Sequence, residues 1–305
     1  MLGNALTVGS NVLILFILIA VGYICNKTKL LSSKGIKDLT NFVLYIVTPC
    51  VIVNSYQREF DKEMIIGLGL TLLTSFLSFV ANILLAHLLV KDRDKRREKT
   101  LRFGAVFSNC GFMSLPLQKA MLGDIGVFYG ATYIAVFQIL IWTYGVILMS
   151  GDVKNFSIKK IILNPGVIGT TIGLVLFVCS VTLPMIIIEP LKHFASLNTP
   201  VPMVIVGYHL ANSSLKIKGL SAYVSGILRL VVSPVIMVLI LCLFKISGDI
   251  MIACTIAAAS PVAANTTMFS EKFGGDTAVS ASLVSITTLL SIITMPLIVG
   301  FAATL

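Results

Sequence analysis

Two stretches of this 305-residue chain set proline and small polar residues into the middle of apolar sequence. The first runs Phe107-Ser108-Asn109-Cys110-Gly111-Phe112-Met113-Ser114-Leu115-Pro116, and the second Ala257-Ala258-Ala259-Ser260-Pro261-Val262-Ala263-Ala264-Asn265-Thr266-Thr267-Met268. Proline has no amide hydrogen and its ring clashes with the preceding turn, so Pro116 frees the carbonyl of Phe112 and Pro261 that of Ala257. Freed backbone groups at membrane depth must be buried in protein or line a watery cavity, where Asn, Ser and Thr satisfy them or a ligand. A half-helix restarting beyond the break turns its positive end and unpaired amides to the gap, which makes an anion site without any lysine. On this reading Asn109, Gly111, Ser114, Pro116, Pro261, Asn265 and Thr266 form a substrate site. The competing reading is packing, because proline and glycine are ordinary in membrane helices and small polar residues let helices approach closely.

Few other residues offer chemistry. No Asp or Glu falls in the middle of an apolar span, so coupling through a buried carboxylate has no support; Asp124 and Asp276 open spans, where a capping role suffices. His87 lies beside a basic loop and His193 in an outer loop, leaving His209 as the histidine best placed within a span, either as a packed neutral ring or as a proton relay. Asn54 on the second span joins the candidate substrate residues with His209. Arg229 is expected to snorkel to the cytoplasmic surface, with substrate binding as the alternative. The six cysteines show no CxxC spacing and read as packing residues, with no disulfide framework, metal site or cofactor.

The elements positioning these residues follow from composition. With 57% hydrophobic and 12% charged residues and a mean hydropathy of +0.99, the chain is expected to be an all-α integral membrane protein. Ten spans are predicted near 8–25, 38–56, 64–90, 101–121, 125–149, 161–183, 198–213, 220–244, 249–270 and 276–303. No stretch remains for an ATP-driven or catalytic soluble head. The net charge of +10 reflects alternate loops rather than nucleic-acid binding. Lys27 to Lys37, Lys91 to Arg102, Lys154, Lys159, Lys160, Lys216, Lys218 and Lys272 mark the cytoplasmic side. Arg58, Lys62, Lys119, Lys192 and Lys245 remain outside. A multi-pass plasma-membrane protein with both termini extracytoplasmic is expected.

The chain divides into residues 1–150 and 151–305, five spans each, so the second half must be inverted. Pro49, Val51, Ile52 and Val53 match Pro202, Val204, Ile205 and Val206; Ser108, Gly123, Asp124 and Val127 match Ser260, Gly275, Asp276 and Val279.

These residues bring in a likeness. Asn109-x-Gly-x-x-x-Leu-Pro116 followed by Gly123-Asp124, Ala-x-x-Pro261 followed by Phe273-Gly274-Gly275-Asp276, and the run Ser285 to Ser291 resemble the auxin efflux carrier family, in its prokaryotic malate- or malonate-permease-like branch. The resemblance spans the full length. It implies ten helices, with the fourth and ninth crossing at broken midpoints, a scaffold of spans one, two, six and seven that also serves a homodimer, and an elevator-like transport unit. Substrates would be carboxylates, with a proton gradient as one energy source and no need of sodium. The chain lacks the long central loop and second span-nine proline of the plant carriers, Thr266 standing there instead.

The expected function is therefore secondary transport of a small organic anion across the lipid bilayer. A transporter-fold ligand sensor is the alternative. A membrane-embedded hydrolase is disfavoured, since it needs a nucleophile and base or metal ligands at membrane depth.

Overall fold

The computed structural model describes residues 2–155, 158–212, 215 and 219–305; Lys216 and Lys218 lie outside the described residues, as does the side chain of Lys160. The helices are α1 (Leu2–Lys27), α2 (Ser33–Ser55), α3 (Lys62–Leu89), α4 (Lys95–Val106), α5 (110–122), α6 (Asp124–Ser150), α7 (Ile158–Ile162), α8 (Pro165–Val178), α9 (Met185–Ser196), α10 (Pro200–Ala211), α11 (Leu220–Leu243), α12 (Gly248–Ala259), α13 (Asn265–Lys272) and α14 (Thr277–Ala302). Six of these, α1, α2, α3, α6, α11 and α14, are long and apolar enough to cross a membrane. Their outer faces expose large apolar side chains such as Ile17, Leu84, Leu239 and Ile293, which water would not tolerate over so wide an area and lipid covers.

Prolines shape the long helices without ending them. Pro49, Pro116 and Pro234 each stand two residues after a π-helical segment, at Val43–Val47, Cys110–Ser114 and Leu228–Val232 respectively. A widened turn accommodates the ring and the carbonyl it displaces, so the chain bends and continues.

The core has two main parts. Phe79, Phe103, Phe107, Phe128, Tyr133 and Phe137 pack α3, α4 and α6 together, with ring centroids 4.6 Å apart for Phe103 and Phe107. Val12, Leu15 and Ile19 of α1 pack with Met203 of α10 and Met295 of α14. The α1–α10 contact is close because glycine faces backbone from both sides: a Cβ on Gly22 would overlap the Val204 carbonyl, and one on Gly207 the Ile19 carbonyl.

Where the seventh span was expected, the structure has the 12-residue α10, roughly 18 Å long at 1.5 Å per residue. The chain reaches α10 through the helix α9, which carries His193, expected in a loop. Glu189, Pro190 and Lys192 disguise α9 as a loop, and the Lys192–Glu189 pair at 2.8 Å lies along its surface.

Candidate functional site

The two interrupted stretches meet at their breaks. Helix α4 ends at Val106 and α5 restarts at Cys110, while α12 ends at Ala259 and α13 restarts at Asn265. Between these ends the backbones pair antiparallel at Ser108 and Val262. The Asn109 N–H donates to the Pro261 carbonyl at 2.7 Å, and the Ala263 N–H to the Phe107 carbonyl at 3.0 Å. Each gap thus takes up groups that the other frees, as buried backbone requires. The adjacent Val262 N–H donates to Thr287 Oγ1 of α14 at 3.2 Å, a role for the last helix's polar run that sequence reasoning did not assign.

The first break does not lie where its proline predicts. Pro116 sits in the first turn of the straight part of α5, beyond the π-helical turn; the interruption falls at 107–109, which contains no proline. Pro261 does lie within its break.

Seven of the nine candidate substrate residues belong to these two stretches. Asn109 is 6% exposed, and Ser114 and Thr266 are fully buried. Neither the Ser114 nor the Thr266 hydroxyl has a hydrogen-bond partner. Gly111 is half-buried, with open space where a Cβ would stand. Asn265, also half-buried, opens α13; Pro116 and Pro261 are buried. The first amide of α5 to bond back along the chain is that of Met113, to Asn109 O at 3.1 Å, so the α5 terminus presents amides ahead of it to the crossing. Two helix N-termini, each followed by an unpartnered buried hydroxyl, flank the paired breaks, and helix N-termini of this kind suit an anionic oxygen group.

Over residues 7–299 the chain matches the family model described as "Membrane transport protein". The chain belongs to this family, the auxin efflux carrier-like membrane transporters. A comparison with curated proteins finds no match.

In this multi-pass transporter the remaining candidates lie away from the crossing. His209 is on an exposed face of α10, edge-on to Tyr208. Asn54 lines a cavity of ≈ 630 Å³ with Arg58, Lys119, Asp124, Lys192 and Asn198. There Asp124 accepts from Asn54 Nδ2 at 3.2 Å and from Lys119 Nζ at 2.5 Å. Asp124 thus joins α2 to the α5–α6 junction and does not cap its helix; Asp276 does cap α14, accepting from Val279 N–H at 3.0 Å. Burial lowers the Arg58 pKa and Asp124 opposes the shift, yet a guanidinium stays charged.

Arg229 is the residue that sequence reasoning misplaced. Its side chain is fully buried, donating to the ends of α4 and α12 rather than reaching the cytoplasmic surface. The signal was its depth: nine residues past Leu220 is about 14 Å along a helix, too far in for snorkelling to be the natural reading.

Proposed function

We propose that this transporter is a secondary carrier of small organic anions, mono- or dicarboxylates such as malate, malonate or auxin-like carboxylates, working by elevator-type alternating access. The substrate carboxylate sits at the crossing, held by Asn109, Ser114, Asn265 and Thr266 and by the α5 and α13 amides, with Gly111 leaving room for it. The observation that carries this reading is the pair of buried, unpartnered hydroxyls, Ser114 and Thr266, one on each restarted helix. A buried hydroxyl without a partner costs about 1–3 kcal/mol, a penalty that a bound substrate oxygen would relieve.

The rest of the proposal follows the family's architecture. Two inverted halves, residues 1–150 and 151–305, put both termini outside the plasma membrane, and the register pairing Ser108 with Ser260 brings the two breaks to equivalent positions. The cavity with Arg58, Lys119 and Lys192 around Asp124 draws anions toward the scaffold boundary. A homodimer through the scaffold and coupling to protons belong to the same reading, as does the prokaryotic permease branch.

Ligand-induced thermal stabilisation of the purified protein tests the site. A carboxylate at about 100 times its Kd stabilises the folded state by about 2.7 kcal/mol, and Asn265→Ala is expected to weaken affinity by roughly tenfold or more through the lost charge-assisted hydrogen bond. A wild-type protein unmoved by malate, malonate and indole-acetate sinks the proposal. An Asn265→Ala variant responding like wild type removes Asn265 from the site.

A further inference from the structure

A guanidinium buried at membrane depth pairs with a carboxylate or with backbone carbonyls. Arg229 takes the second course: none of the ion pairs among the described residues includes it. Its Nη1 donates to the Val106 carbonyl at 2.8 Å, and its Nη2 donates to Ser233 Oγ at 2.6 Å and to the Ala258 carbonyl. Val106 is the last residue of α4 and Ala258 lies in the last turn of α12. One cation therefore closes the negative ends of both half-helices. Ser233 Oγ also accepts from Asn82 Nδ2 of α3 at 2.8 Å, which fixes the fork in place.

Four helix ends meet at the crossing. Each N-terminus acts as roughly +0.5 of a charge and each C-terminus as roughly −0.5, so the backbone alone sums to about zero. Such a site has donors but no preference for an anion over a neutral molecule of the same shape. Adding Arg229 cancels the two C-terminal ends and leaves the α5 and α13 N-termini uncompensated, at about one positive charge in total.

We propose that Arg229 sets the sign of the substrate site: through the two half-helix ends it holds, it makes the crossing a receptor for a single carboxylate group. It is a positioning residue acting through the field, since its side chain is fully buried and two of its three nitrogens are engaged with protein. The substrate class that follows carries one carboxylate at the crossing. Any second negative charge stays outside it, toward the basic cavity. This inference rests on the crossing being the substrate site.

The test compares each carboxylate with its uncharged amide, using malonate against malonamide and indole-acetate against indole-acetamide, on purified full-length protein. A unit charge roughly 10 Å from the bound group, at an effective dielectric of about 20, changes anion affinity by roughly tenfold. Arg229→Gln is expected to weaken carboxylate binding by about that factor and amide binding by less than about threefold; Arg229→Lys, which keeps the charge and loses the fork, retains the carboxylate preference. Ser233→Asp covers the case in which Arg229→Gln does not fold. It sets a carboxylate against the guanidinium, keeps the contact and cancels the charge, and should also lose the carboxylate preference by roughly tenfold. Equal losses for carboxylate and amide, or a Ser233→Asp protein that keeps its carboxylate preference, overturn the inference while the site assignment stands. Wild-type protein that binds none of the probes overturns the site assignment and the inference with it.

Discussion

Replacing Asn109 by alanine is expected to reduce initial carboxylate uptake at least about tenfold, the consequence of losing a hydrogen bond to a charged group, while leaving the protein folded. The two halves of that expectation come from different parts of the residue. Its backbone amide makes the 2.7 Å bond to the Pro261 carbonyl that joins the breaks, and alanine keeps an amide. The side-chain amide makes no capping bond to its own helix, and under the proposal it holds substrate. Thermal unfolding and gel filtration of Asn109→Ala should match wild type, and uptake in proteoliposomes should not. Normal uptake by this variant moves the site away from the crossing.

A second substitution should act on the fold instead. Gly207→Leu drives a side chain into the Ile19 carbonyl of α1, at a contact where Gly22 meets the Val204 carbonyl in return. Neither carbonyl can swing aside without breaking helix bonds, so the helices must separate and the core of Val12, Leu15, Ile19 and Met203 opens. Overpacking of this kind costs about 1–3 kcal/mol and more where backbone is the obstacle. The expected result is a large drop in the unfolding temperature in detergent and a poor folded yield. Gly9→Ala, on the same helix α1 with open space at its Cβ position, is the control and should unfold as wild type does. A Gly207→Leu protein as stable as that control would show that α1 and α10 do not need their close approach.

What the sequence made legible follows the range of the forces involved. Long apolar runs declare their helices because lipid demands internal satisfaction of the backbone over about 20 residues. The second break was legible because Pro261 lies inside it. The first was misplaced because local reasoning attends to Pro116, whereas the interruption at 107–109 is held open by backbone bonds to 261–263, some 150 residues away. No local signal specifies that pairing. Helix α9 was lost for the opposite reason: its charges and Pro190 look like a loop, and none of its residues is buried. Seven of the candidate residues could be named from sequence because half-helix chemistry needs Asn, Ser, Thr and Gly together, and the structure places all seven on the two interrupted stretches. Arg229 was singled out as a cation, but its partners are carbonyls on two distant helix ends, which sequence cannot display.

The most direct test is uptake by the wild-type protein in proteoliposomes, scanning labelled malate, malonate and indole-acetate under an imposed proton gradient, with and without sodium. Saturable flux of a carboxylate is the expected result, and its dependence on the gradients identifies the coupling ion. Binding of a carboxylate without flux under any gradient would contradict the carrier and mark the protein as a ligand sensor on a transporter fold.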